Sequence, residues 1–310
     1  MNAESVEQLR AGNPRAVARA ISAVERGGAD AREIIAAIFR FTGHAHIIGV
    51  TGAPGTGKST LVNEIAKQYR RRGQRVGIVA VDPTSPFSGR AILGDRLRMQ
   101  DLSGDPGAFI RSMATRGNLG GIAAATSDAV QVLDAAGFEI VLIETVGAGQ
   151  NEVDIAKNAH TTMVVDAPGL GDDIQAIKAG ILEIADLLIV NKADHDEASA
   201  TVAALEMNLN LKPYKENDWR PPVLKTIAID GTGVADVVDW IGKHRLYLET
   251  HRQLETRERN RFRAELEMVV QRELMTRLLR GVNGTKIETL IEKIATREMD
   301  VYAAAEKLIG

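Results

Sequence analysis

The chain has 310 residues, of which 45% are hydrophobic and 25% are charged, and its formal net charge is −3. This is the composition of an ordinary globular protein, long enough for one large α/β domain with helical additions or for two small domains. The sequence contains no cysteine, which excludes disulfides, thiolate metal sites and a cysteine nucleophile. Because there is no net basic charge, nucleic acid is not expected as a partner. Neither an apolar run of membrane-spanning length nor a basic-then-apolar leader is visible, so we expect a cytoplasmic protein without a membrane partner.

The first forty residues are rich in Ala, Arg and Glu and carry apolar residues at helical spacing, such as Val17, Ile21 and Val24. Asn13-Pro14 is a typical helix start, with proline in the first turn. We therefore predict an N-terminal helical extension over residues 1–43, made of two or three short helices that pack against another part of the chain.

From His46 onward, short apolar runs alternate with helical stretches. Near-continuous apolar runs indicate strands that are covered on both faces. Strands that alternate with helices indicate βαβ units and a mostly parallel sheet. The predicted strands are 47–50, 76–81, 109–110, 140–143, 163–165, 187–190 and 223–229, with a helix over 58–72. Residues 44–243 are therefore predicted to form one α/β domain, with its ligands at the carboxyl ends of the strands.

The strand signals stop after Gly242, and residues 244–310 are predicted to form a C-terminal helical extension. Residues 245–279 are highly charged but keep apolar residues on a rough helical stripe. Residues 281–284 interrupt this pattern, and two shorter helices are expected up to Leu308. A charged helix with one apolar face either docks on its own domain or forms a dimer interface, and both interpretations stay open here.

The most specific motif follows the first predicted strand and opens the first long helix. It fits G-x-x-x-x-G-K-[ST] at every fixed position, and with the next threonine its residues are Gly52, Ala53, Pro54, Gly55, Thr56, Gly57, Lys58, Ser59 and Thr60. Glycines allow backbone N–H groups to turn inward around a phosphate, and the helix N-terminus adds positive potential. Lys58 is expected to reach the β- and γ-phosphates, and the Ser59 hydroxyl to bind Mg²⁺. The motif predicts a P-loop nucleoside triphosphatase.

A second motif, N-K-x-D, follows the predicted strand 187–190 and contains Asn191, Lys192 and Asp194. The Asp194 carboxylate can accept hydrogen bonds from both N1–H and the exocyclic amine of guanine, whereas adenine has no donor at N1. Asn191 is expected to contact the N7 side of the base and to brace neighbouring loops, while the stem of Lys192 lies over the base. Ala228, at the end of the last strand, is predicted to contact the guanine oxygen through its backbone. The bound nucleotide is therefore predicted to be GTP or GDP.

Three carboxylates and one amide complete the predicted chemistry. Asp82 ends the strand 76–81, Asp95 follows a loop rich in Pro and Ser, and Glu144 ends the strand 140–143. Mg²⁺ prefers one or two carboxylates together with phosphate oxygens and waters, so Asp82, Asp95 and Glu144 join Ser59 as candidate ligands. Gln150 is a candidate for orienting the attacking water, although an exposed glutamine without a catalytic role is the alternative.

Together these motifs resemble the MeaB/ArgK-type G-protein chaperones of adenosylcobalamin-dependent acyl-CoA mutases, relatives of the human methylmalonic aciduria type A protein. The resemblance covers residues 9–242 and weakens beyond them. It is carried by residues 49–60, 80–85, 92–96, 144–150 and 168–178. The last stretch, from Pro168 to Lys178, is the most specific, because ordinary small GTPases have nothing like it between their third and fourth nucleotide motifs.

The resemblance implies a three-layer P-loop fold with N-terminal helices and a C-terminal extension that supports homodimers. It implies active-site roles for Lys58, Asp82, Asp95 and Glu144, with Ser59 and the two aspartates near Mg²⁺. In this family, the GTPase gates delivery of adenosylcobalamin to a mutase such as methylmalonyl-CoA mutase and protects or reactivates that enzyme. In those proteins, the loop that corresponds to residues 168–178 is an additional switch.

Three other functions stay open at this point. A metal-delivery GTPase of the hydrogenase or urease maturation type would need Cys or His ligands, and the one close histidine pair, His44 and His46, precedes a buried strand and is expected to be structural. A kinase would need ATP, which Asp194 disfavours, and an acceptor site. A non-hydrolysing scaffold is disfavoured by the intact Lys58 and Ser59.

Overall fold

The computed structural model describes residues 2–82, 100–102, 104–114, 121–145, 158–169, 183–281 and 284–309. Seven strands form one parallel sheet in the order β3-β2-β4-β1-β5-β6-β7. The strands are β1 His46–Thr51, β2 Val76–Asp82, β3 Ala108–Ala114, β4 Ile140–Thr145, β5 Thr161–Asp166, β6 Leu187–Val190 and β7 Val223–Lys225. β1 lies next to β4 in the middle of the sheet. The connection after β1 leads to β2 on one side, and the connection after β4 leads to β5 on the other side. In α/β sheets, ligands bind at the carboxyl ends of the strands where the connections separate in this way.

Ten α-helices belong to the described residues. They are α1 Ala3–Arg10, α2 Pro14–Arg26, α3 Gly28–Ile38, α4 Lys58–Arg71, α5 Gly121–Ala135, α6 Ala198–Asn210, α7 Val234–Thr250, α8 Gln253–Gly281, α9 Gly284–Ala295 and α10 Val301–Ile309. The predicted start at Asn13-Pro14 is confirmed for α2, because the Asn13 Oδ1 accepts hydrogen bonds from the backbone N–H groups of Arg15 and Ala16. None of the helices described is long and apolar enough to cross a membrane.

Helices cover both faces of the sheet, which gives the three-layer architecture. On one face, alternate strand residues such as Ile47 and Val141 share a core with α2, α3 and α5. On the other face, Ile48 and Leu142 share a core with α4 and α7. Every residue of β1, β4, β5 and β6 is buried. Burial on both faces explains why these strands appear in the sequence as continuous apolar runs, and the predicted α/β fold is confirmed.

Most element boundaries differ from the sequence prediction by at most two residues, and three differ by more. The strand predicted at 109–110 is longer, Ala108–Ala114. The last strand ends at Lys225 instead of extending to Ile229, because the chain turns there: the Thr226 amide still bonds to Val190, but Ile227 pairs with Thr232 in an isolated bridge. The helical pattern from Arg245 onward is not one helix. It divides into α7 and α8, and Arg252 between them has a φ of 55°, a left-handed conformation that no α-helix continues through.

The chain forms two compact units, Met1–Arg261 and Phe262–Gly310. The first unit contains the sheet, helices α1 to α7 and the start of α8. The second contains the rest of α8 with α9 and α10, and Leu290 and Ala304 are buried in it. The domain boundaries predicted from sequence, 1–43, 44–243 and 244–310, stay a prediction.

Candidate functional site

The glycine-rich loop connects the carboxyl end of β1 to α4, as its motif predicts. Gly52 has a φ of 143°, and a Cβ atom there would lie 2.0 Å from the Val165 carbonyl oxygen of β5. Gly57, the residue before α4, has a φ of 88°, and a Cβ atom there would lie 2.4 Å from the Asn191 side-chain nitrogen. Both positions therefore require glycine, because neighbouring segments approach the loop too closely for any side chain.

Lys58 is the first residue of α4, and its side chain is buried under the loop. Its Nζ donates hydrogen bonds to the carbonyl oxygens of Gly52 and Ala53, both at 2.8 Å. Ala53 also accepts a hydrogen bond from the Thr56 hydroxyl at 3.0 Å. The ammonium group is thus held at the loop by neutral oxygens, and an anionic phosphate binds such a cation more strongly than a neutral carbonyl does.

Ser59 and Glu144 meet beside this loop. The Ser59 hydroxyl donates to the Glu144 Oε1 at 2.6 Å, and both side chains are buried. The strand register produces this contact, since Glu144 of β4 lies opposite Val50 near the end of β1. A hydroxyl and a carboxylate are oxygen donors of the kind that Mg²⁺ prefers, so the two residues fit a magnesium ion.

The other predicted magnesium and switch residues are described less fully. The backbone of Asp82 ends β2, where the preceding residue Val81 lies opposite Thr145 of β4, so Asp82 is at the same edge of the sheet as Glu144. Its side chain is outside the described part of the structure. Asp95 and Gln150 also lie outside the described residues, as does most of the stretch 168–178.

Asn191 connects three loops at the carboxyl edge of the sheet. Its Nδ2 donates to the Thr56 carbonyl at 2.8 Å, and its Oδ1 accepts from the Thr226 hydroxyl at 3.1 Å and from the Ala228 amide at 3.0 Å. The predicted bracing role of Asn191 is therefore visible in these contacts. Thr226 was not among the predicted site residues, although its position near the end of the last predicted strand, two residues before Ala228, was a signal.

The other residues predicted to bind guanine, namely Lys192 and Asp194 of the N-K-x-D motif and Ala228, differ in exposure. Asp194 is exposed to solvent, where a base can reach it. Lys192 has a φ of 55°, which is uncommon for a residue with a side chain and turns the loop sharply after β6. Ala228 is buried and its N–H is hydrogen bonded to Asn191, so a guanine oxygen would have to share that donor. The predicted contacts of these three residues with guanine stay predictions.

The histidine pair lies at the other end of β1. His46 is the first residue of that strand, is buried, and its Nε2 is 2.8 Å from the Thr161 hydroxyl oxygen. His44 is exposed. Among the residues that the structure describes, no three His, Asp or Glu side chains are grouped closely enough to hold a metal ion.

The fold has three layers, with helices on both faces of a parallel sheet. Together with the glycine-rich loop between β1 and α4 and the N-K-x-D segment after β6, this defines a P-loop GTPase. The chain belongs to the family described as "Methylmalonyl Co-A mutase-associated GTPase MeaB", whose sequence model matches residues 17–283. This confirms the family and the GTPase activity that the motifs predict.

Individual relatives agree with this assignment. The chain is 46% identical over 308 residues to a Pyrococcus abyssi protein named as a GTPase, covering 99% of this chain and 95% of that protein. It is 37% identical to GTPase ArgK of Escherichia coli, over 76% of this chain and 73% of ArgK. It is 38% identical to the mouse mitochondrial methylmalonic aciduria type A homolog, over 62% of this chain and 47% of that protein.

The solved structures include a match over nearly the whole chain. The crystal structure of an LAO/AO transport system kinase aligns with a TM-score of 0.76 at 25% identity, covering 99% of this chain and 95% of that one. The fold of this chain is therefore the fold of that protein.

Proposed function

We propose that this chain is a Mg²⁺-dependent GTPase that acts as a G-protein chaperone for an adenosylcobalamin-dependent acyl-CoA mutase, methylmalonyl-CoA mutase or a relative. In this role it gates cofactor delivery and protects or reactivates the mutase. The observation that carries the proposal is the match of the mutase-associated GTPase family over residues 17–283. The similarity to the methylmalonic aciduria type A homolog supports the same role.

Hydrolysis would begin with in-line attack of a water oxygen on the γ-phosphorus of GTP. The new phosphorus–oxygen bond forms as the bond to the β–γ bridging oxygen breaks, and GDP leaves with that electron pair. Lys58 would hold the β- and γ-phosphates, and Gln150 would orient the water. Because little covalent chemistry is left to the protein, catalysis depends on positioning and on electrostatic stabilisation.

Mg²⁺, when bound, would neutralise charge on the β- and γ-phosphates. Ser59, Asp82, Asp95 and Glu144 are the residues proposed to hold it. Support from the structure comes from the buried Ser59–Glu144 contact of 2.6 Å, which brings a hydroxyl and a carboxylate together beside the phosphate loop. A magnesium ion at this position would be held by the Ser59 hydroxyl and the Glu144 carboxylate.

The guanine preference is tested by Asp194→Asn. An amide in place of the carboxylate cannot accept two hydrogen bonds from guanine, so discrimination between GTP and ATP should fall by about 100-fold or more. Competition binding with both nucleotides measures it. The matched control is Asp196→Asn, an exposed carboxylate two residues along, which should leave discrimination unchanged. Undiminished discrimination in Asp194→Asn would contradict the assignment.

The partner is tested by capture from the native source, with the full chain as bait, followed by GTPase assays with any acyl-CoA mutase recovered. We expect slow basal hydrolysis that the mutase accelerates. Replacing Gln175 and Lys178 together should keep basal hydrolysis and weaken the acceleration. An active GTPase that neither captures a mutase nor responds to one would refute the chaperone role while leaving the GTPase intact.

We also propose that the chain is a cytoplasmic homodimer formed through α8. On that helix Phe262, Leu266, Val270 and Leu274 recur every four residues and expose between 37% and 64% of their surface. Such a stripe is typical of a helix that packs against a partner. Leu266→Glu should reduce the dimer fraction in light scattering, whereas Glu267→Gln, its exposed neighbour, should not. A monomeric wild-type chain at micromolar concentration would rule the dimer out.

A further inference from the structure

A cluster of buried polar side chains lies at the amino-terminal end of the sheet, opposite the nucleotide loops. Its members are His46 of β1, His160 and Thr161 at the start of β5, Asp186 before β6, His244 of α7 and Arg257 of α8. All of them except Arg257 are buried. None of them is a residue of the nucleotide site, and buried polar groups are costly unless they are hydrogen bonded or paired.

The contacts form a continuous chain. The Thr161 hydroxyl oxygen lies 2.8 Å from the His46 Nε2 and 2.8 Å from the His244 Nδ1. The other ring nitrogen of His244, Nε2, lies 3.2 Å from the Asp186 Oδ1. Arg257 then donates to both Asp186 oxygens, at 2.7 and 2.8 Å. Hydrogen bonds and the close His244–Asp186 contact therefore connect β1, β5, α7, the segment before β6 and the beginning of α8.

Proton counting leaves two arrangements of these bonds, one for a neutral and one for a protonated His244. An ionised carboxylate only accepts, so the His244 Nε2 that faces Asp186 carries a proton. If His244 is neutral, its Nδ1 is an acceptor and the Thr161 hydroxyl donates to it. The hydroxyl then accepts from the Nε2–H of His46. If His244 is protonated, its Nδ1–H donates to the hydroxyl instead, and the hydroxyl can donate to His46.

We propose that the Thr161 hydroxyl joins His46 and His244 into a proton-ordered relay that ends on Asp186 and Arg257 and latches residues 253–261 of α8 to the sheet. Arg257 strengthens the attachment with a further bond to the His160 carbonyl at 2.7 Å. Residues 253–261 and the sheet belong to the same compact unit.

Charged groups around the relay favour an ionised Asp186. Burial alone would raise the pKa of Asp186, but the hydrogen bonds from Arg257 and His244 lower it to about 2. Burial also lowers the pKa of His46 well below its usual value, assisted by the charges of His160 and Arg245. The groups that face the relay from the packed elements are His160 from the β5 start, Arg245 and Tyr247 from α7, Trp219 from the preceding loop, and Glu258 and Arg261 from α8.

Thr161→Val in the full chain tests the relay, because valine keeps the shape and removes the hydroxyl. Nitrogen-15 spectra of the histidine side chains report which ring nitrogen carries the proton. In the wild type at neutral pH we expect Nε2–H for His46 and His244, and in the variant altered signals for both. Amide exchange over residues 253–261 should become about fivefold faster or more, the change that a lost hydrogen bond produces. GTP affinity should not change, which separates this test from that of the GTPase.

Thr161→Ser is the matched control, since serine restores the hydroxyl and should restore the histidine signals and slow exchange. Wild-type histidine signals and wild-type exchange in Thr161→Val would overturn the relay. If the valine variant does not fold, Arg257→Gln provides a second test at a side chain that is 32% exposed. Faster exchange over residues 253–261 in Arg257→Gln supports the latch, and unchanged exchange overturns it.

Discussion

Polar side chains are buried at both ends of the central sheet, but their hydrogen-bond and ion-pair partners differ between the two ends. At the carboxyl end, Lys58 and Asn191 bond to backbone atoms of loops, and the bonds to Gly52 and Ala53 involve neutral carbonyl oxygens. At the amino end, Asp186 contacts both His244 and Arg257, and the Arg257–Asp186 pair joins opposite charges. The first arrangement can exchange its neutral partners for an anionic ligand, whereas the carboxylate of the second already has a cationic partner.

The largest effect is expected at the carboxyl end, for Lys58→Ala. Removing the ammonium that holds the phosphates should lower GTP hydrolysis by at least about 100-fold, because one group that stabilises developing charge contributes that much. A steady-state phosphate-release assay measures it. Lys67→Ala is the control on the same helix, since Lys67 forms ion pairs with Glu64 and Asp101 on the surface and should leave the rate within about twofold. Full activity of Lys58→Ala would remove the phosphate-site assignment.

Asn191→Ala tests whether the carboxyl end also depends on internal bracing. It removes three side-chain hydrogen bonds and leaves the Thr226 hydroxyl and the Ala228 amide buried without that acceptor. We expect the free energy of unfolding to fall by about 2–4 kcal/mol. Urea unfolding of the nucleotide-free protein measures it. Asn208→Ala, which removes one exposed hydrogen bond within α6, should cost less than about 1 kcal/mol, and equal losses would deny Asn191 its bracing role.

Acid should destabilise the amino end. Burial lowers the pKa of His160 to about 3, assisted by the charge of Arg261. In the unfolded chain this histidine takes up its proton near its usual pKa of about 6.5. The folded protein therefore has its full stability, as far as His160 is concerned, above about pH 6.5, and the free energy of unfolding decreases as the pH falls towards 3. Asp186, with its folded pKa of about 2, adds a loss between about pH 4 and 2.

Urea unfolding at pH 7, 5 and 4 measures this loss. The only two tryptophans of the chain, Trp219 and Trp240, are in contact, and the Trp219 ring lies 4.7 Å from that of His244, so fluorescence reports on the amino end directly. His160→Gln should flatten the dependence between pH 7 and 4. The control His44→Gln, at an exposed position, should keep it, and a wild-type curve without slope would contradict the assignment.

The smallest effect is expected for an exposed ion pair. Arg72 and Asp239 are 2.6 Å apart, with both side chains about half exposed. Arg72→Ala should cost less than about 1 kcal/mol in urea unfolding, and high salt should abolish the difference. Arg257→Gln removes the cationic partner of a buried carboxylate and should reduce the free energy of unfolding more. Equal reductions for Arg72→Ala and Arg257→Gln would mean that burial does not determine how much an ion pair contributes.

Much of the fold follows from local patterns. Strands such as β1 and β6 appear as continuous apolar runs because both faces are covered, and α2 begins where Asn13 can cap it. The break between α7 and α8 was not predicted, because the helical pattern continues across it. Only the left-handed backbone of Arg252 interrupts the helix, and arginine carries no signal for that conformation.

The sequence by itself determined the class of this protein. The phosphate loop and the N-K-x-D motif are short contiguous segments, and the residue types and their spacing within each segment are enough to indicate what it binds. The tertiary structure decided which distant residues support them. The bond from Asn191 to Thr56 joins positions 135 residues apart, and the relay from His46 to Arg257 draws on five separate segments of the chain. Pairings of this kind depend on strand order and register, which no local pattern contains.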